Sequence, residues 1–429
     1  MIVDRTRALE VLIGLPDVEF VGLDDSGTVL RIVIERQGVR PSCRSCGTLA
    51  LGKGRRDVEL VDLPAFGRPT AIVFRKHRWM CPTASCRVGS WTAQDPRIAA
   101  PRAVMTDRCA RWCTREVGEY GRPVSDLAKV LGCDWHTVND TVIRYGEALL
   151  DADTDRVGAT RALGLDETLF ARVGRYRQQC WSTQIVDVEH GVLLDIVEGR
   201  SAQEPCRWLA NREAAWLAGV AYGTIDLTGV YRSVFDTMLP GAILIADPFH
   251  VVRVANRYLD ECRRRVQNQT VGHRGRKSDP LYRARRRLTM ARERLSESQH
   301  ERMLGLLRAG DPHQEVWFAW NAKEVVRQTY DHVDHALAVE WVDAIERDFA
   351  DREMPIEVRK LGRTIGRWKQ QIVAWHRARF TNAPTEAINN LVKRVKRVAF
   401  GFRRFQNYRV RALLYAGRPN WHLLADITP

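Results

Sequence analysis

Hydrophobic positions recur along this chain with a period that changes from one stretch to the next, and each change marks a boundary. In residues 1–100 the period is two: residues 30–34 and the run Ile72-Val73-Phe74 alternate as half-buried strands do. Beyond Pro101 the spacing turns helical. Leu127, Val130 and Leu131 fall on one face, Gly132 marks a turn, Asp134 is placed to cap a second helix and Val138 faces inward. Together they predict a helix-turn-helix between Arg122 and Asp140, with Trp135, His136, Asn139 and Arg144 on the outer side of its second helix.

From Ala162 the pattern is mixed. Strands are expected over 163–169, 179–188 and 191–197, with Glu189-His190-Gly191 as a hairpin turn, followed by a helix over 202–216. A fourth strand over 220–227, a helix over 231–238 and a fifth strand over 242–246 complete the set, and the last runs into Asp247-Pro248-Phe249-His250. Three strands in a meander, a crossover helix and two further strands follow the order of a ribonuclease H-like core. Past His250 the reading is helical, broken by a Gly/Arg-rich stretch at 271–280, until a helix begins near Asn382 with Pro384 in its first turn, where a missing N–H costs nothing. The expected fold is multidomain α+β. Its parts are a strand-rich zinc-ribbon domain over 1–100, a helix-turn-helix domain over 101–157, a ribonuclease H-like core over 158–262 and 365–429, and an all-helical insertion over 263–364.

Composition adds a partner. In 429 residues, 67 Lys and Arg face 52 Asp and Glu, a formal charge of +15, so a polyanion such as DNA is the natural counter-charge. The excess concentrates at 263–294 and 393–418. No apolar run approaches the ~18 to 20 residues of a membrane span, and residues 1–7 have no signal-like apolar segment, so a cytosolic protein is expected.

Ten cysteines without a signal segment suggest metal ligation or buried thiols rather than disulfides. Cys43-x2-Cys46 and Cys81-x4-Cys86, separated by 34 residues, form a zinc-ribbon pattern in which four thiolates would close a structural tetrahedral site.

Three acids stand out in this basic chain. Asp166 and Asp226 each end an apolar run, and Glu386 opens a helix on which Asn390, Lys393 and Arg397 recur at helical spacing. Carboxylates flanked by cations are what two-metal phosphoryl transfer on a polynucleotide needs, with Mg2+ or Mn2+ as the ions. The middle acid is Asp226, by its place after the fourth strand, or Asp247, by the string in which it stands; the strand order favours Asp226. Glu167, Asp187 and Asp195 read as flanking or hairpin residues, and Trp317 and Trp320 as core. Lys393, Arg394, Lys396, Arg397, Arg403 and Arg404 are placed to hold phosphates.

The strings Gly164-Leu165-Asp166-Glu167, Ile245-Ala246-Asp247-Pro248-Phe249-His250-Val251-Val252 and Thr381 to Asn390, continuing into Val395-Lys396-Arg397-Val398-Ala399-Phe400-Gly401-Phe402-Arg403, resemble those of insertion-sequence transposases of the ISL3 family, as does the cysteine ribbon. The resemblance runs from the ribbon to the C-terminus. It implies an acidic-triad enzyme that recognises its element's terminal inverted repeats, cuts DNA and joins strands with divalent metal, working as a dimer or larger assembly on DNA. The rival readings are a DNA-binding regulator without catalysis, which leaves the three acids without purpose, and a structure-selective nuclease, which gives no joined products.

Overall fold

A computed structural model describes residues 5–36, 38–227 and 229–429. Contacts divide the chain into two units, Met1–Val157 with Asn390–Pro429, and Gly158–Asn389.

The first unit begins with α1 (Arg5–Ile13), β1 (Val18–Asp24), β2 (Leu30–Arg36), β3 (Leu51–Ala65), β4 (Arg68–Met80) and β5 (Ser90–Thr92). Their sheet has the order β1-β2-β4-β3, with β5 also on β4. The alternating residues behave as expected: Ile34, Ile72 and Phe74 point into a core with Leu60 and Ile98. The long strand β3 was not legible in the sequence, because its first half is exposed and shows no alternation. Its partner imposes it, through an antiparallel register that sets Arg55 against His77 and Asp57 against Arg75. The hairpin turns at Phe66 and Gly67, both with positive φ (52° and 77°), as a tight two-residue turn requires.

Next come α2 (Asp107–Gly118), α3 (Val124–Leu131) and α4 (Trp135–Ala152). Gly132 takes the left-handed conformation (φ 66°) that lets α3 end and α4 start, and Leu127, Leu131, Val138 and Val142 are buried together with residues of α2. Trp135, His136 and Arg144 are exposed as expected. Asn139 is not: it is 4% exposed, and its Nδ2 donates to Asp140 Oδ1 at 3.0 Å. Because α4 is packed by both α2 and α3, its buried arc is wider than the single stripe that periodicity suggests.

The second unit opens with β6 (Ala162–Val173), β7 (Gln178–Asp187) and β8 (Val192–Glu198), followed by α5 (Gln203–Ala210), α6 (Ala214–Gly219), β9 (Tyr222–Ile225), α7 (Gly229–Met238) and β10 (Ile243–Ala246). The sheet order is β10-β9-β6-β7-β8. β6, β7 and β8 form an antiparallel meander, while β9 and β10 run parallel to β6. The single helix expected over 202–216 is two. α5 stops at Asn211, whose Nδ2 donates to Arg207 O, and α6 restarts after Glu213.

Helices follow: α8 (Pro248–Val271), α9 (Pro280–Thr289), α10 (Glu297–Gly310), α11 (Glu315–Gln328), α12 (His335–Phe349), α13 (Ile356–Arg367) and α14 (Lys369–Ala378). Residues 272–279 interrupt them where the Gly/Arg-rich break was expected. Trp320 is buried and Trp317 half-exposed. α14 packs against the edge strand β10.

The chain ends with α15 (Ala383–Val398) and α16 (Phe405–Ala416). Residues 365–429 are expected from the sequence to complete the ribonuclease H-like core; by contacts, Asn390–Pro429 cluster with Met1–Val157. Val410, Leu414, Leu424 and Ile427 share a core with α2, α3 and α4. Gly118 and Gly146 make room for them, since a Cβ at Gly146 would lie 2.8 Å from Leu414 Cδ1. Among the described residues, no helix is long and apolar enough to cross a membrane.

Candidate active site

The register of the second sheet decides where two of the acids go. Gly164 on β6 is paired with Thr224 on the parallel neighbour β9, so Asp166 and Asp226 each stand two residues past the same rung. Asp166 lies within β6 and Asp226 directly follows the end of β9 at Ile225, near enough for its charge to act on the Asp166 carboxyl. Glu386 arrives from the first turn of α15. That turn can reach the sheet because Gly164 has no side chain: a Cβ there would lie 2.3 Å from Thr385 Oγ1.

Asp166 is held by Asn389 Nδ2, which donates to its Oδ2 at 2.6 Å, and by the Glu167 N–H, which donates to Oδ1 at 2.8 Å. Burial pushes its carboxyl up to about 6, and the nearby charges of Glu386, Glu167 and Asp226 add to the shift. Each of these acids thus makes a second negative charge costly, which is the electrostatic condition of a divalent-cation site. Among the described residues the carboxylates do not draw together as tightly as the cysteines below, the one group whose ligand atoms all lie within 4.8 Å of one another.

Asp247 occupies a different place. It is 4% exposed; Oδ1 accepts from the Asn382 N–H at 2.8 Å, and Oδ2 accepts from the His250 N–H at 3.2 Å and meets His250 Nδ1 at 3.0 Å. It therefore caps α8 and ties that helix to the residue before α15. Asn382 is held a second time, its Oδ1 accepting from Thr224 Oγ1 at 3.2 Å. The far ring nitrogen of His250 is 3.9 Å from Glu386 Oε1. Its hydrogen bond with Asp247 raises the His250 pKa, opposed by burial.

Tyr231 is buried beneath the acids. Its hydroxyl is 3.1 Å from Thr183 Oγ1, a hydroxyl that also bonds Gly199 O at 2.8 Å. Burial raises its pKa, with the charges of Glu167 and Asp166 contributing. Asp187 holds His190, and Asp195 accepts from Trp208 Nε1 at 2.9 Å, so both have structural partners. Asn382, Asn389, Thr224 and Tyr231 were not singled out by sequence. The available signal was spacing: Asn389 lies three residues after Glu386, on the same helical face.

In the first unit, Cys43, Cys46, Cys81 and Cys86 have sulfurs all within 4.8 Å of one another. The pairs Cys43/Cys86 and Cys46/Cys81 are 3.6 and 3.4 Å apart, near the edge of about 3.8 Å that a tetrahedron of 2.3 Å Zn–S bonds has. Hydrogen bonds from Thr48 bring the Cys46 thiol down to about 6. At Cys81 a Thr83 N–H favours the thiolate, but burial and the Cys46 sulfur outweigh it and push the thiol up to about 11. The donor set fits a closed zinc site.

Lys393, Arg394, Arg397, Arg403 and Arg404 are exposed, and Lys396 is half-buried. Trp135 and His136 form an edge-to-face pair with ring centres 5.2 Å apart on the exposed side of α4.

Residues 163–412 match the ISL3 group of DDE transposases, a family described simply as transposase. The chain is 26% identical over 447 aligned residues, 93% of each sequence, to the transposase for insertion sequence element IS1557 of Mycobacterium tuberculosis. It is 24% identical over 400 residues to the transposase for insertion sequence element IS1001 of Bordetella parapertussis, covering 89% of this chain and 90% of that one. A Drosophila P element transposase strand transfer complex aligns with 74% of this chain and 93% of its own, at 9% identity and a TM-score of 0.39, too loose a likeness to argue from.

Proposed function

Because this chain belongs to the ISL3 family of DDE transposases, we propose that Asp166, Asp226 and Glu386 are its catalytic triad and that its second sheet is a ribonuclease H-like core. What supports this reading is the Asp166 carboxyl on β6, pushed up to about 6 by burial and by the charges of Glu386 in the first turn of α15, of Glu167, and of Asp226 just past the parallel strand β9. Hard carboxylate oxygens suit Mg2+ or Mn2+. When bound, two such ions supply an activated water or 3′-hydroxyl and steady the leaving oxygen.

The chain's own residues do the rest. Asn389 and the Glu167 N–H fix the orientation of Asp166. Asp247 and Thr224 hold Asn382 and so set where α15 begins, which places Glu386. With both its oxygens committed to backbone and His250, Asp247 acts here as a positioning residue, and Asp226 is the middle acid. The cations of α15 and the segment after it hold phosphates, and the helix-turn-helix with the cysteine ribbon recognises the element's terminal inverted repeats. Paired cutting of two ends calls for at least a dimer on DNA.

The test uses a donor plasmid, purified protein and Mg2+, scored for cleaved and joined DNA. Asp166→Asn, Asp226→Asn and Glu386→Gln are each expected to lose on the order of 10³-fold or more in strand transfer, as removal of a metal ligand does, while retaining DNA binding. Asp247→Asn is expected to be less severe in rate and to lower thermal stability. Normal joining by Asp226→Asn would transfer the middle role to Asp247, and normal joining by Asp166→Asn would end the proposal.

A further inference from the structure

One face of α8 beside the acids is exposed, its contacts among the described residues of the second unit limited to neighbours on the same helix, such as Tyr258 under Arg257. Phe249, in the first turn of this helix, is 66% exposed, and its ring meets His250 edge-on with centres 5.4 Å apart. His250 in turn lies against Asp247 and within 3.9 Å of Glu386. A phenyl ring kept in water beside an acidic cluster gains nothing from the fold. One and two turns further along the same face stand Arg253 and Arg257, both exposed. Arg253 has no ion pair among the described residues, and Arg257 reaches Glu261 only at 3.8 Å. The order along the helix is therefore acids, aromatic ring, cation, cation.

We propose that Phe249, Arg253 and Arg257 form a binding track for unpaired DNA: the base next to the phosphate held at the acids leaves the duplex and stacks on Phe249, while the arginines take the phosphates that follow. The track rests on the triad reading above, since that reading puts the phosphate at Asp166, Asp226 and Glu386. An aromatic face combined with a line of cations is how single strands are bound without regard to sequence, because every base has a π-face and every nucleotide a charge. A fully paired duplex presents no free base face to the ring, so the occupant is an unpaired strand end. Phe249 would be the residue that selects an opened end over intact DNA.

The probe is a short duplex with an unpaired 3′ end whose first unpaired base is 2-aminopurine, mixed with full-length protein carrying Asp166→Asn to prevent cleavage. Stacking on Phe249 quenches the probe. Adding Phe249→Ala is expected to reduce that quenching several-fold and to weaken binding of the unpaired end about tenfold, while affinity for fully paired duplex, read by anisotropy, changes less than about twofold. Phe249→Trp should retain the quenching, which separates a stacking role from a folding one. Arg253→Gln should weaken binding of the unpaired end and reduce its salt slope by about one. Unchanged quenching in Phe249→Ala with DNA binding intact overturns the track alone, as does equal quenching of a probe base placed mid-duplex. Loss of binding to every probe, in protein with wild-type Phe249, overturns the proposed function with it.

Discussion

Asp166 has the chemistry most altered by its surroundings, and its pKa makes a directional prediction about the metal-free protein. Its carboxyl titrates near 6 in the folded chain against 3.8 ordinarily, because burial and the charges of Glu386, Glu167 and Asp226 all oppose ionisation. The folded state therefore holds a proton that the unfolded chain has released, so this group's contribution to stability falls as pH rises from about 4 through 6. Asp166→Asn removes the charge while its amide oxygen can still accept from Asn389. In chelator at pH 8, the variant should melt a few degrees above wild type, an effect of at most about 3 kcal/mol. At pH 4 the gap should close, and in Mg2+ it should shrink or reverse. Thermal melts at the three conditions check this; a gap independent of pH would mean that Asp166 is not ionised against its neighbours.

At the scale of elements, the site depends on how closely α15 approaches β6, and that distance is set by Gly164. A Cβ at this position would collide with Thr385 Oγ1 and Val188 Cγ2, at 2.3 and 2.7 Å. Gly164→Ala is therefore expected to destabilise the second unit by roughly 1 to 3 kcal/mol, the range for overpacking, and to reduce strand transfer by moving Glu386. Thr385 Oγ1 is buried without a hydrogen-bond partner, so Thr385→Ala should be well tolerated alone and should recover part of the loss in the double variant. Denaturant melts of the two single variants and the double give the coupling directly, and strict additivity would count against the contact. The elements that build this junction were legible in the sequence: β6, β9 and α15 each announce themselves by an apolar run or by Pro384 and Glu386 at a helix start. Strand β3 and the break between α5 and α6 were not, since the first is imposed by its partner and the second turns on the local side-chain bond of Asn211.

For the whole molecule, the two units should respond differently to loss of metal. The lobe of β1 to β5 has a small core, and its four cysteines converge from two turns 34 residues apart in the chain. Zinc binding in such a lobe is on the order of 10 kcal/mol and is itself folding free energy. Cys43→Ser, or a zinc chelator at neutral pH, is expected to lower the melting temperature of the first unit by more than 10 °C and leave the second unit's transition in place, with one zinc per chain lost by elemental analysis. A protein that never contained zinc and melts identically in chelator would remove the structural role of the site. Asn390–Pro429 should melt with the first unit, because Val410 and Leu414 are part of its core.

The sequence by itself determined the rhythm of the chain, the cysteine spacing, the excess of positive charge and the acids that break it, because these depend on residue type and short-range periodicity. It also carried the resemblance to ISL3 transposases, which lies in contiguous strings. The tertiary structure decided what depends on residues distant in sequence. It paired Gly164 with Thr224 on parallel strands, two residues ahead of Asp166 and Asp226, engaged both oxygens of Asp247 with partners, buried Asn139, and returned the last forty residues to the N-terminal unit. Each of these follows from strand register or from helix faces covered on more than one side, and a linear pattern of apolar and polar residues encodes neither.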